Sequence, residues 1–259
     1  MGREKAVAKP KVAMQMFTLR DQVEQDYAGT VKQLAKIGYR AIQVSGFGNA
    51  TPKEIRKVMD DLQMGSAGTH LALEMMEDEF EKVVEITKTL RAGYAIIPHV
   101  GEERRRSADD WRRLAEIFTD IGRRLKAEGL GLAYHNHSFE FEKFDGKYAY
   151  DILFENVDRS VVQTEIDTYW VQHGGADPVA YLKRHAKHIQ IVHFKDMGPG
   201  PKKPMVPVGT GILDWPAILK ACEAGGAQWV CVEQDECAPL APLEAARVSL
   251  ENCKKWGLA

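Results

Sequence analysis

Short apolar runs alternate along the chain with stretches whose apolar residues recur every three or four positions, as in strands alternating with amphipathic helices. The first run, residues 12–17, leads through Thr18-Leu-Arg20 into a helical stripe at Tyr27, Val31, Leu34 and Ile37, which Gly38 stops. A second run, 39–44, ends in Ser45-Gly46-Phe47-Gly48. Thr51 then caps a helix with Pro52 at its first position and Glu54 at capping-box spacing, predicted to run to about residue 63. A small-residue strand at 64–69 leads to His70. A helix over 78–90 turns Phe80, Val83, Val84, Ile86 and Leu90 inward, and a strand at 94–97 closes on Pro98-His99. Ser107 caps a long helix, 108–128, with Trp111, Leu114, Ile117, Phe118, Ile121 and Leu125 on one stripe.

The fifth run, 130–134, enters Tyr134-His-Asn-His137. Beyond it Phe139-Glu-Phe-Glu alternates and Asp145-Gly146 is a hairpin-turn pair, which predicts a small excursion over the strand end. A short helix at 150–156, a strand at 161–166, a helix capped by Asp177 and opened by Pro178, and a strand at 188–192 follow. Residues 197–211, rich in Pro and Gly, predict no regular structure. A helix at 215–224, a strand at 229–232 and a helix at 242–256 complete the pattern. Eight strand–helix units without a composition break predict an α/β fold, a single-domain (β/α)8 TIM barrel over 11–259 behind a disordered lead at 1–10. A doubly wound open sheet, the alternative, normally shows a Gly-rich phosphate turn after its first strand, and Phe17-Thr-Leu-Arg-Asp21 is nothing like one.

The 44% hydrophobic share of 259 residues supports one large core, and a net charge of -2 gives no pull toward nucleic acid or an anionic membrane. No apolar stretch reaches the roughly 18 residues of a membrane span, and residues 1–10 lack the apolar segment of a signal peptide. The four cysteines are sparse and lack CxxC spacing, which points to buried thiols in a reducing, cytoplasmic setting. A small molecule is the expected partner, and a homo-oligomer is compatible with the composition.

Four runs end in metal-ligand residue types: Tyr134-His-Asn-His137, Thr164-Glu-Ile-Asp167, Ile189-Gln-Ile-Val-His193 and Trp229-Val-Cys-Val-Glu233. Packing does not need polar groups there, and an α/β barrel places its chemistry at those ends. One such residue is as readily a hydrogen-bonded strand end as a ligand. Four on successive strands, where buried charge needs a partner, point to one divalent metal, Mn2+, Mg2+, Co2+ or Zn2+. On strand five, His135 is the favoured ligand, and His137 shares its face in extended structure. Lys195 emerges on the side of His193 and suits polarising a substrate oxygen, or is a rim lysine. Gln43, His70, Glu74 and His99, at or past the ends of strands two to four, suit hydroxyl recognition, and Trp170 offers a platform for a sugar's C–H face. Their bland readings are hydrogen-bonded histidines and a buried loop tryptophan. Glu165 shares the face of Asp167 one layer deeper, as a supporting or core-network group. Arg104-Arg-Arg106, beside Glu102-Glu103, reads as a solvated loop rather than a phosphate cradle.

The set Met14-Gln-Met-Phe-Thr-Leu-Arg20, Tyr134-His-Asn-His137, Asp167-Thr-Tyr-Trp170, His193-Phe-Lys-Asp196, Val208-Gly-Thr-Gly211 with Asp214-Trp215, and Val232-Glu-Gln-Asp235 resembles the xylose isomerase-like TIM barrels called sugar phosphate isomerases/epimerases. The resemblance covers essentially the whole chain. It implies one divalent metal held by Glu, Asp, His and Glu at the ends of strands five to eight. The last three carry over onto Asp167, His193 and Glu233, and His135 stands where the first Glu would be. Two-carboxylate epimerisation loses a base by that exchange, since an imidazole whose lone pair is on a metal is a poor base. One-base chemistry survives: an aldose–ketose shift, or removal of a proton α to a ketone followed by loss of a β-oxygen, as in inosose dehydratases. The implied function is a metal-dependent sugar isomerase/epimerase with Glu233 as base and Lys195 and His137 assisting. A lyase, dehydratase or hydratase of a keto-sugar, inosose or keto-glycoside is the alternative, and a non-catalytic sugar-binding barrel the second. The related apurinic endonucleases, with their zinc cluster of extra histidines, are excluded by Trp170 at such a position and by the charge.

Overall fold

The computed structural model describes residues 9–258. Eight parallel strands close in chain order: β1 Lys11–Gln15, β2 Ala41–Ser45, β3 Gly65–His70, β4 Tyr94–Ile97, β5 Gly131–His135, β6 Val162–Asp167, β7 Ile189–Phe194 and β8 Trp229–Val232. β1 closes the barrel on β8, from Lys11 beside Trp229 to Met14 beside Val232. Side chains alternate between the lumen and the surrounding helices. Met14, Val44, Leu132, Tyr134, Ile166, Val192, Phe194 and Val232 point outward into the main core. Inward positions begin with a separate cluster of mostly small residues, Ala13, Ala41, Ala67, Ala133 and Cys231 with Ile96 and Ile191. Two residues further along the same faces come Gln15, Gln43, His135, His193 and Glu233, all buried. The lumen therefore changes from apolar to polar within one pleat, and the polar layer is the floor of the site.

The helices start where their caps lie. Thr51 and Glu54 form the full capping box: the Thr51 hydroxyl accepts from the Glu54 amide, and the Glu54 carboxylate accepts from the Thr51 amide at 2.7 Å. The Ser107 hydroxyl accepts from the Asp110 amide at 3.1 Å and starts the helix Ala108–Ala127. The excursion after β5 is a 3-10 turn, Phe139–Phe141, and a ribbon of Lys143–Phe144 against Lys147–Tyr148. Asp145 and Gly146 both take positive φ, +52° and +81°, as the hairpin turn requires.

Several elements differ from the pattern's expectation. β1 ends at Gln15, because the Gln15 side chain accepts from the Phe17 amide at 3.3 Å and turns the chain into a 3-10 segment, Met16–Leu19. The next helix starts at Arg20 and breaks at Asp26 (φ -153°, ψ 89°), whose carboxylate accepts from the Gly29 amide at 2.8 Å and restarts it. The helix expected over 78–90 is Phe80–Thr89, and a short helix that was not expected, Leu73–Asp78, precedes it across Glu79. A further short helix, Thr168–His173, follows β6. The stretch expected to be irregular pairs Asp196–Met197 with Met205–Val206. Of the expected disordered lead, residues 1–8 lie outside the described residues. Lys9 donates to the Trp256 carbonyl at 3.1 Å, and Pro10 is buried. The four cysteines are free and buried. No helix among the described residues is long and apolar enough to cross a membrane.

His185, at the end of the helix Pro178–Arg184, is 4% exposed, and Arg159 donates to its Nδ1 at 3.0 Å. Burial, then Arg159, Arg184 and His188, push it down to about 3. An unfolded histidine titrates near ~6.5, so between roughly pH 6.5 and 3 the unfolded chain holds the extra proton. The stability contributed by neutral His185 is therefore complete above that window and is lost as pH falls through it. Urea unfolding of His185→Gln, which still offers Arg159 an acceptor, should show an acid slope shallower by about one proton. An unchanged slope would contradict this assignment.

Candidate active site

The polar ends of β5 to β8 converge. One ligand atom from each of His135, Asp167, His193 and Glu233 lies within 4.8 Å of the others. His135 Nε2 is 3.4 Å from Asp167 Oδ2, and His193 Nδ1 is 2.9 Å from Glu233 Oε2. His135 Nδ1 lies 3.4 Å from the Pro98 carbonyl, and its Nε2 is the nitrogen turned toward Asp167. Asp167 is fixed twice: its Oδ1 accepts from the Trp170 amide at 2.9 Å, and its own amide donates to buried Asn136 at 3.0 Å. Its Oδ2 faces the two histidines and the Lys195 ammonium, 3.3 Å away.

The donor set fits a divalent cation. His135 Nε2 and Asp167 Oδ2 are buried without a hydrogen-bond partner, Lys195 Nζ lying 3.3 Å from the oxygen, and two ring nitrogens and two carboxylate oxygens turned toward one buried position are a donor set that suits a divalent cation. A second group, His70, Glu165 and His193, is also close enough to ligate, but its atoms satisfy one another. Glu165 accepts from His70 at 2.6 Å and lies 3.0 Å from His193 Nε2, and Gln43 donates to it as well. The first group is therefore the candidate metal position, and in the second Glu165 stands on the far nitrogen of His193, where a carboxylate would orient a ligand histidine. Glu165→Gln should weaken metal binding about 10–100-fold in a titration of the protein. An unchanged affinity would remove Glu165 from the support of His193.

Charge is dense around this group. Burial would lower His193, but Glu165 and Glu233, one on each side, outweigh it and hold it up to about 10. Burial would raise Glu233, but Lys195 and His193 hold it well below the usual carboxylate range. Lys195 is buried, which alone would lower it, yet Asp167, Glu233 and Asp235 keep it raised and cationic. Burial, then His135 and Lys195, drive His137 well below the usual histidine range, so its ring is neutral.

Above these groups opens a recess of about 230 Å³, lined by Phe17, Ser45, His70, Pro98 and His99 together with His135, His137, Lys195, Glu233 and Asp235. A larger hollow of about 490 Å³, lined by Arg159, Arg184 and His185 among others, lies at the other end of the barrel, where residues lead into β6 and β7. Its carboxylates, Asp151 and Glu155, are paired with Arg184 and Lys147, each at 2.6 Å, in partly exposed ion pairs. His70, His99, His137 and Lys195 thus stand where the sequence placed them, on the walls of the recess. His135 joins the metal-ligand group, and His137 does not. His137 stacks on Phe139 at 5.5 Å with its Nδ1 unpartnered. His135→Ala should abolish metal retention while His137→Ala mainly raises KM, and the reverse pattern would exchange their roles.

Three expected binding residues fall elsewhere. Gln43 is fully buried beneath the recess, bonded to Gln15, Glu165 and His193, because its strand position points into the polar layer. Glu74 is exposed on the short helix after β3. Trp170 is half-buried behind Lys195, whose Nζ is 5.3 Å from its ring, rather than on the wall. Arg104 is held by Glu77 at 2.9 Å, and Arg105 lies 3.7 Å over the Phe139 ring, so neither forms a phosphate cradle.

Sequence reasoning passed over four residues of the site. Asp235 binds Lys195 with both oxygens at 2.9 Å; its spacing of two from Glu233 was the available signal. Phe17, 41% exposed at the rim, lies just beyond the end of β1. Gln15 donates to Gln43 at 2.7 Å within the polar layer. Glu140 is fully buried, accepts from the Tyr134 hydroxyl and the His137 amide, and is pushed up by burial to about 7.

The model of the xylose isomerase-like TIM barrel family matches residues 31–256. An inosose dehydratase of Clostridium beijerinckii is 24% identical over an alignment of 274 positions, covering 90% of each chain. The crystal structure of a sugar phosphate isomerase/epimerase from Parabacteroides distasonis superposes with a TM-score of 0.82 at 23% identity, covering 98% of this chain and 96% of that one. An IOLI protein solved with a bound zinc atom gives a TM-score of 0.75 at 18% identity, over 95% of this chain and 97% of that one. At these identities the structural likeness establishes the fold alone.

Proposed function

The chain belongs to the xylose isomerase-like TIM barrel family, and we propose that it is a divalent-metal-dependent lyase that removes the proton α to the carbonyl of a keto-sugar and expels the β-oxygen. The observation that carries this reading is the asymmetry of the recess. Glu233 and, just beyond β8, Lys195-bound Asp235 line it on one side, whereas the β5 side offers only His135 and His137; on β6, Asp167 belongs to the ligand group and Glu165 is locked beneath. A recess whose lining carboxylates stand on one side, facing histidines on the other, suits one-base elimination better than exchange of a proton between two faces.

A divalent ion held by His135, Asp167, His193 and Glu233 would polarise the substrate carbonyl and acidify the neighbouring carbon. Glu233 is ionised at neutral pH. Its Oε2 is engaged with His193 and Lys195, and its Oε1 enters no hydrogen bond or ion pair among the described residues. Oε1 is thus the oxygen that takes the α-proton. Lys195 remains an ammonium and donates to the oxygen on which negative charge builds. His137 and His99, on the facing wall, hydrogen-bond the departing oxygen, which leaves as water or alcohol when the proton taken by Glu233 reaches it directly or through solvent.

The dehydratase name of the Clostridium relative supports elimination, and the zinc of the IOLI protein supports zinc among the candidate ions. Isomerisation or epimerisation shares the same first step and is the second reading, supported by the name of the Parabacteroides structure. Metal-loaded protein should be incubated with a panel of keto-sugars, keto-glycosides and inososes and the products followed by NMR. An unsaturated product with loss of water or alcohol is expected. A saturated isomer as the sole product would decide for the isomerase, and binding without turnover across the panel would decide for a sugar-binding barrel.

A further inference from the structure

The recess carries a cation of its own. Lys195 Nζ lies 2.7 Å from Glu233 Oε2, 3.3 Å from Asp167 Oδ2, and 2.9 Å from both oxygens of Asp235. Glu233 Oε2 and Asp167 Oδ2 are the same atoms that face His193 Nδ1 and His135 Nε2. An ammonium and a divalent ion would thus call on the same two oxygens, and like charges sharing a buried, low-dielectric position repel strongly. Asp235 differs from the other two carboxylates. Its side chain is 20% exposed against 0% for Asp167 and 5% for Glu233, and it belongs to the outer wall of the recess rather than the ligand group.

We propose that Lys195 is a displaceable counter-cation: it neutralises Asp167 and Glu233 in the metal-free protein, and metal binding shifts it onto Asp235. The inference rests on the metal assignment above. It explains why a third carboxylate stands beside the ligand group without belonging to it: Asp235 keeps the displaced ammonium bonded and at the outer wall. The aliphatic stem of Lys195 runs in a closed position, since the residue is 1% exposed, so the move is confined to its charged end.

The arrangement gives three signs. Lys195→Met should bind Zn2+ or Mn2+ about tenfold more tightly or better, because the competitor is gone. Asp235→Asn should bind about tenfold more weakly, because the ammonium is left with only the ligand oxygens. In the Lys195→Met background, Asp235→Asn should change affinity less than about threefold, the coupling being the mark of a shared partner. Calorimetric titration of the metal alone reads all three. As a second measurement, metal-free Lys195→Met should melt below the wild type and gain more on adding metal. Unchanged or weaker binding by Lys195→Met would overturn the proposal. So would an equal loss from Asp235→Asn in both backgrounds, which would make Asp235 a mere negative charge. A wild-type chain that binds no metal would overturn the underlying metal assignment instead, an outcome distinct from either.

Discussion

Glu233→Gln is expected to lower turnover by about 10²–10⁴-fold at saturating metal. Glutamine keeps the shape and one ligating oxygen but has no basic oxygen to take the α-proton. Because Glu233 Oε2 also faces His193 and Lys195, metal retention should fall too, and the comparison must be made with metal in excess. The loss should then lie in kcat, since an interaction made in the transition state has been removed. A variant whose full activity returns with added metal would restrict Glu233 to ligation and leave the base unassigned.

Asp196→Ala should be the most destabilising single change outside the main core. Its buried carboxylate collects five N–H donors: the amides of Met197, Gly209, Gly211 and Leu213, and the Trp215 indole at 2.7 Å. Alanine leaves them without an acceptor, and water entering the gap recovers only part of the loss. A cost of about 3–5 kcal/mol is expected, or a melting temperature lower by about 10 °C. The cage also explains Gly211, where a Cβ would collide with the Met197 carbonyl and with Asp196 itself. Trp215 stacks between Phe194 at 4.8 Å and Trp256 at 5.3 Å, so losing its indole acceptor also loosens the packing beneath β7. Asp196→Asn, retaining one acceptor oxygen, should fall between. A change below about 2 °C for the alanine variant would show that the loop is held by other means.

The cage marks the boundary of what the pattern of residues conveys. His193-Phe-Lys-Asp196, Val208-Gly-Thr-Gly211 and Asp214-Trp215 are each visible as motifs, but their meeting on one carboxylate depends on where backbone amides point, which residue types do not encode. Strand order and the convergence of Asp167, His193 and Glu233 were legible, because each strand is an apolar run ending in a ligand type. The polar layer was not. Gln15 was assigned to a strand with no role and Gln43 to the substrate, because an apolar run suggests a strand buried alike on both faces. In a closed barrel the lumen face alternates independently, and it turns polar below the strand ends. Glu165 was recognised as a deeper group by its spacing of two from Asp167, and the same arithmetic from Glu233 would have singled out Asp235. The helical segment before Asp26 was not predicted because the apolar stripe begins only at Tyr27; Asp26, whose side chain restarts the helix, stands at the edge of that stripe. Glu74 was misplaced for a similar reason: the short helix Leu73–Asp78 carries it outward, and six residues are too few to show a period.

The claim on which the function rests is that a proton leaves the α-carbon to Glu233. It is tested most directly by turnover of a substrate deuterated at that carbon. A primary isotope effect on kcat/KM, release of the label into water and dependence on added metal are expected, with loss of all three in Glu233→Gln. Full turnover with the deuterium retained in the product and passed to the neighbouring carbon would contradict it, and would point to hydride transfer instead.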